Sequence, residues 1–372
     1  MVVDPRVTQL ASNLIGYSLA LQEGETLYID MVGSDTSPLG QELIRLATEA
    51  GAIPFWHSFD DAFTKPFFRA ASEAQHKAFA AFHRRIMEGV DAYVGIRGPA
   101  NPFDLGDLSP EQKHLKQTYH WNEVHSKTRL QKRWVVLRYP NSAMATLAGM
   151  SQEAFEAFYF RVCNLDYARL SRAMDPLVAL MERTDRVRLV APGTDLSFSI
   201  QGIPAIKCDG KLNIPDGEVY TAPVRESVNG TITFNTSSLY QGKTFRNVRL
   251  EVEAGRIVRA HAAEGEEELE RIFATDLGAA YFGEFAIGVN PYILHPMNDT
   301  LFDEKIQGSI HLTPGSSYEN ADNGNRSAIH WDLVLIQRPE YGGGELYFDD
   351  RLIRRDGQFV VEELLPLNAD TA

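Results

Sequence analysis

The chain is poor in cysteine. Cys163 and Cys208 are the only two in 372 residues, and neither sits in a CxxC or comparable ligand spacing. A disulfide framework and a thiolate zinc site are both unsupported, and the two thiols read as buried or unreactive. Long hydrophobic runs are missing too, since no window approaches the roughly 18 apolar residues of a membrane span. The opening MVVDPRVTQL carries a charge at Asp4 and no apolar stretch followed by a cleavage site, so the expectation is a cytoplasmic protein. Positive charge is in deficit: 36 Lys and Arg stand against 50 Asp and Glu, a formal net charge of −14. Nucleic acid is therefore not an expected partner, because phosphate tracking depends on basic patches. Phosphate-binding fingerprints are absent as well. GSDTSPLG follows a strand-like run and opens a helix, but the chain has no GxGxxG and no GxxxxGK[ST]. The signal for a nucleotide site in the first half is weak on that ground, and a structural or substrate-shaping role is preferred.

What is present is an ordinary globular composition, 44% hydrophobic and 23% charged, in a chain long enough for two cores. In the first half, strand-like runs (TLYIDMV at 26–32, IPFWHSF at 53–59, DAYVGIRG at 91–98, RWVVLRYP at 133–140) alternate with helical patterns. Those helices run from Ser37, across about 73–88, and from Ser109 and Pro110 to about Leu130. Alternation of this kind predicts an α/β domain with a mostly parallel sheet covered on both faces, over residues 1–184. SQEAFEAFYFRVC and the residues to about 183 read as one or two connecting helices, whose aromatic residues suit packing. Beyond them the pattern changes to short alternating strands broken by Gly, Asn and Pro, with one clear helix at 265–276. Residues 185–372 are thus expected to form a β-rich α+β domain, with hairpin turns at Ala254-Gly255 and Arg355-Asp356-Gly357.

The chemistry collects in that second domain. SAIHWDLVL at 327–335 puts His330 and Asp332 two positions apart, so on a strand both would leave the same face. NIPDGEVYTAP sets Glu218 at the start of a strand, after a turn at Pro215 to Gly217. GEFAIGVNP sets Glu284 among Phe282, Phe285, Ala286 and Ile287. A carboxylate buried in such company must be paired or bound to a cation. FDEKIQGSIHLTPGSSY adds Glu304, His311 between Ile310 and Leu312, and Tyr318. Carboxylates and imidazoles without thiolates suit Zn²⁺, Co²⁺, Mn²⁺ or Fe²⁺, and a bridging carboxylate can hold two such ions for hydrolysis. His57, His76, His83, His114, His120, His125, His261 and His295 lack clustered acids of this kind and read as structural or surface residues.

NIPDGEVYTAPVRESVNGTI, GEFAIGVNP, the His311 to Tyr318 segment and SAIHWDLVL resemble, in the same order, the motifs of the thermophilic metalloprotease family of aminopeptidases. The resemblance spans most of residues 213–335 and extends to the first half only in general layout. It implies a two-domain homodimer, with a co-catalytic pair of divalent ions, that releases N-terminal residues from peptides or small amides. Glu218, Glu284, His311, His330 and Asp332 match the family's ligands, with Glu284 as the bridge and Tyr318 as an active-site tyrosine. Glu304, in FDEK, is a further candidate ligand at a departing distance from His311. The chain is shorter than those peptidases, and the loop between Tyr318 and His330 is brief, which points to substrate differences and keeps a specialised amide hydrolase open. The HxD strand also resembles that of 2,5-dihydroxypyridine 5,6-dioxygenase, a mononuclear non-haem iron enzyme. That branch carries His where this chain has Glu284 and lacks the counterpart of His311, so the hydrolase reading is preferred.

Overall fold

The computed structural model describes residues 4–101, 103–241 and 243–368. They form two compact units, one of residues 1–165 with 210–215, the other of residues 166–209 with 216–372. The first unit is built on five parallel strands in the order Ile53–Phe59, Thr26–Val32, Ala92–Arg97, Arg133–Arg138, Asn213–Ile214. The alternation of strands and amphipathic helices produces this sheet. Ser37–Glu49 buries Leu39, Leu43 and Ala47 at helical spacing, and Glu73–Glu88 begins with a capping box between Ser72 and Gln75. The segment expected as one helix from 110 to about 130 is instead Pro110–Leu115 followed by wide helical turns over Lys116–Ser126 and a short 3₁₀ turn at Arg129–Gln131.

The expected boundary at 184/185 differs from this division in two respects. Helix Tyr167–Glu182 belongs to the second unit, where Lys207 Nζ reaches Ser171 O at 3.2 Å and Ser171 Oγ donates to Asp209 at 2.7 Å. Residues 210–215 return to the first unit, where Asn213–Ile214 extends the parallel sheet at Val136 and Leu137.

The second unit is antiparallel, as its alternating pattern predicts. Eight strands form one sheet in the order 256–261, 249–253, 229–233, 194–199, 186–191, 345–348, 351–355, 358–359. Ala254-Gly255 and Asp356-Gly357 turn two of its hairpins with positive φ at all four residues. A second sheet orders Leu333–Ile336, Ser309–Pro314, Phe282–Gly288, Glu218–Thr221 and Ile206–Cys208. One face of it is apolar (Phe285, Ile287, Ile310, Leu312, Leu333, Leu335), and Phe285 meets Phe198 of the larger sheet edge to face at 5.0 Å. The period of two sends the intervening residues to the opposite face, and these are the residues of chemical interest. Among the described residues no helix is long and apolar enough to cross a membrane.

Candidate metal centre

Strand register assembles the site. Glu218 lies opposite Gly288, Tyr220 and His311 both flank Ala286, and Thr313 faces Glu284. Cross-strand partners share a face, so Glu218, Tyr220, Glu284, His311 and Thr313 project together over Ala286 and Gly288. Gly288 is required where it stands. A Cβ there would lie 2.4 Å from Ile306 O, 2.7 Å from Ser309 Oγ and 2.9 Å from Lys305 C, so only glycine lets the 305–306 backbone rest on the sheet.

His330 and Asp332 arrive differently from the expectation. The strand begins at Leu333, with His330 held by an isolated bridge to Gly315. Their common direction is secured by the residue between them. Trp331 is buried, stacks on Tyr240 at 4.8 Å, meets Phe245 at 4.7 Å and donates from Nε1 to Ser238 Oγ at 2.9 Å. With the indole anchored on one side, its neighbours face the other.

The structure brings the predicted residues into one chain of contacts. Glu284 receives an imidazole on each oxygen: His311 Nε2 at 3.1 Å from Oε1 and His330 Nε2 at 3.2 Å from Oε2. His330 Nε2 is also 3.4 Å from Asp332 Oδ1, which accepts a hydrogen bond from Thr313 Oγ1 at 2.6 Å. Each ring points Nδ1 at a backbone carbonyl, His330 at Ser316 O (2.8 Å) and His311 at Glu304 O (3.3 Å). Nδ1–H is thereby assigned as the donor and Nε2 is presented to the centre, the arrangement that orients imidazole ligands in metal sites. Glu218 stands on the other side of His311, with Oε2 3.6 Å from Nδ1. Glu304 joins Glu218 through Lys305, a residue the sequence reading passed over, whose Nζ is 3.3 Å from Glu218 Oε1 and hydrogen-bonds Glu304 Oε1. Tyr318 is half exposed, its ring 4.8 Å from that of His330 and 5.6 Å from that of Tyr220.

Burial pulls these groups toward neutrality and their neighbours pull them back. Burial alone would lower both imidazoles, yet the carboxylates around them, chiefly Glu284 for His311 and Asp332 with Glu284 for His330, raise each to about 10. Burial would raise Glu284, but the two imidazoles hold it below the usual carboxylate range. Burial raises Glu218 and Glu304 against the opposing pull of Lys305.

The donor set suits a divalent cation at one position. Among the described residues, Glu284, His330 and Asp332 offer ligand atoms within 4.8 Å of one another, two carboxylates and an imidazole with its second nitrogen already committed. Cys208, Asp216 and Glu218 also converge within 4.8 Å. This places Cys208, expected as a bland buried thiol, beside the acids, with its thiol pushed up by burial. A small polar cleft lined by Ser237, Ser238, Asn298, Thr300, Glu304 and Asp332 leads to the centre.

Lys305, Thr313 and the anchoring role of Trp331 were not read from the sequence. The available signals were a lysine between Glu304 and Ile306 and a threonine two residues beyond His311.

Comparison with known proteins bears on this geometry. The sequence profile described as thermophilic metalloprotease (M29) matches residues 3–359. Aminopeptidase T of Thermus thermophilus is 32% identical over 92% of this chain and 89% of its own length. The solved structure of wild-type AmpT from the same organism superposes with a TM-score of 0.78 at 22% identity, covering 97% of this chain and 100% of its own. 2,5-Dihydroxypyridine dioxygenase from Pseudomonas putida KT2440 shares the fold at a TM-score of 0.62 and 15% identity, over 98% of this chain and 100% of its own.

Proposed function

The chain belongs to the thermophilic metalloprotease (M29) family, and on that premise we propose that it is a metal-dependent aminopeptidase that hydrolyses the N-terminal amide bond of peptides or small amides. The observation that carries the proposal is the convergence of Glu284, His330 and Asp332, with His311 on the second oxygen of Glu284. These residues would hold a divalent cation, Zn²⁺, Co²⁺ or Mn²⁺ by their chemistry. When bound, such a cation supplies Lewis-acid polarisation of the scissile carbonyl and lowers the pKa of a water. The resemblance adds a second ion of a co-catalytic pair, for which Glu218, Glu304 and His311 are the remaining candidate ligands.

The chain's own residues complete the reading. Ser316 O and Glu304 O fix the two rings so that Nε2 faces the centre, and Thr313 holds Asp332 in place by donating to it. The acid excess of Glu218, Glu284, Glu304 and Asp332 favours the cationic amine of a free N-terminus, which would make the enzyme an exopeptidase. The position of Tyr318 beside His330 supports its hydroxyl as the donor to the developing oxyanion. The reading carries with it a cytoplasmic homodimer.

Hydrolysis of amino-acid p-nitroanilides with free and with N-acetylated α-amines, after loading with Zn²⁺, Co²⁺ or Mn²⁺, tests it. Turnover confined to free amines is expected. Equal turnover of acetylated substrates would remove the exopeptidase assignment. No turnover of either, together with an oxygen-sensitive Fe²⁺, would favour the ring-cleaving alternative that shares the fold.

A further inference from the structure

Lys305 is wholly buried, and a buried ammonium persists only where carboxylates repay its lost hydration. Its two partners are Glu218 and Glu304. The four candidate carboxylate ligands therefore fall into two sets. Glu284 and Asp332 converge with His330 and, among the described residues, form no ion pair with a lysine or arginine. Glu218 and Glu304 converge on a cation that the chain itself supplies.

The imidazole between the two sets points the same way. His311 turns Nε2 to Glu284, but Glu218, the carboxylate needed to complete a second ion's shell, faces Nδ1 at 3.6 Å, on the far side of the ring. Nδ1 is already directed to Glu304 O. An ion on the Nε2 side would thus gain His311 and Glu284 but not Glu218. An ion on the Glu218 side would lie against the ammonium in a low-dielectric interior, where repulsion of like charges is strong.

We propose that Lys305 takes the place of one metal ion, so that this protein binds a single divalent cation at Glu284, His330 and Asp332 while the ammonium engages Glu218 and Glu304 and keeps them from a second ion. The inference rests on the reading of the Glu284, His330 and Asp332 group as a metal site and restricts its stoichiometry. Lys305 is on this account a positioning residue: it fixes two acids near the cleft without touching substrate.

Titration of the metal-free full-length protein with Mn²⁺, followed by metal analysis and electron paramagnetic resonance, tests it. The wild type is expected to take up about one Mn²⁺ per chain, with the spectrum of an isolated ion. Lys305→Met, which frees both glutamates, is expected to take up about two, the second bound at least about 100-fold more tightly than any second ion of the wild type. Two Mn²⁺ of like affinity with a coupled spectrum in the wild type would overturn the inference and leave the metal-site reading intact. One ion in both proteins would overturn the assignment to Lys305. No binding by the wild type, or binding unchanged in Asp332→Asn, would overturn the metal-site reading itself. Where Lys305→Met does not fold, the wild-type spectrum alone decides between an isolated and a coupled centre.

Discussion

Both units bury charge and histidine, but only one of them balances its account internally. In the first unit Asp30 meets a single guanidinium, Arg97 Nη2 at 2.9 Å, and accepts from Tyr93 at 2.6 Å. Its histidines pair with aromatic groups or each other: Tyr28 Oη lies 3.0 Å from His57 Nδ1 and 3.1 Å from His83 Nε2, and His76 Nδ1 lies 3.0 Å from His120 Nε2. Burial accordingly lowers His76 and His83, and takes His120 to about 4 and His125 to about 3, so these rings are neutral at pH 7. In the second unit the same residue type moves the opposite way, His311 and His330 rising to about 10. The difference lies in the neighbours: Asp30 is met by Arg97 in the first unit, whereas in the second Glu218, Glu284, Glu304 and Asp332 surround the two rings, with Lys305 as the only buried lysine among the described residues. A buried cluster whose acids and bases pair one to one is architecture, whereas one whose acids draw protons onto both neighbouring imidazoles offers a place where a metal cation can stand in for those protons.

Removing one of these acids should have the largest effect. Glu284→Ala is expected to lose bound metal and to lower kcat by about 10³-fold or more, since metal polarisation is worth several kcal/mol. Elemental analysis and anilide hydrolysis check this, and a variant with full metal content and full activity would break the comparison. Arg97→Met strands the Asp30 carboxylate and should cost about 3 kcal/mol of stability in denaturant unfolding, with metal content per folded chain unchanged. A change in metal content there would mean that the two clusters are not independent.

A third expectation concerns pH. Because His311 and His330 have folded pKa values raised above 6.5, the metal-free fold binds protons more tightly than the unfolded chain. That stabilisation is complete below about pH 6.5 and is lost as pH rises towards 10. Thermal unfolding after chelation should show the decline, and loading with Zn²⁺ should flatten it, because the ion takes the protons' place. A flat profile without metal would remove the contrast between the two sets of histidines. The smallest effect is expected at Tyr318→Phe. Its side chain is half exposed, so the hydrogen bond proposed for its hydroxyl would compete with water, and kcat should fall about tenfold with metal content unchanged.

The layout was legible where the pattern was strong. TLYIDMV, IPFWHSF, the core of DAYVGIRG and RWVVLR are strands of one parallel sheet, and the antiparallel character of the later residues follows from their period of two. Asn213–Ile214 was not legible as a strand of the first unit, because two residues carry no period and the pairing is made at Val136 and Leu137. At the site, the acids and imidazoles were legible by type and context, and their residue-by-residue roles came from the family resemblance. Lys305 escaped because a lysine beside a glutamate reads as solvated surface. Its partner Glu218 lies 87 residues away, a distance that only the sheet closes. The side-by-side placement of His330 and Asp332 was anticipated from strand geometry but is achieved by the indole pocket around Trp331.

Gly288 gives control of this centre from beneath. A methyl group at that position would act as a wedge under the 305–306 backbone, moving the stem of Lys305 while every ligand and every charge stayed as written. The ammonium's hold on Glu218 and Glu304 is thus adjustable through volume alone. A single carbon in the floor of the sheet can reset the electrical balance above it.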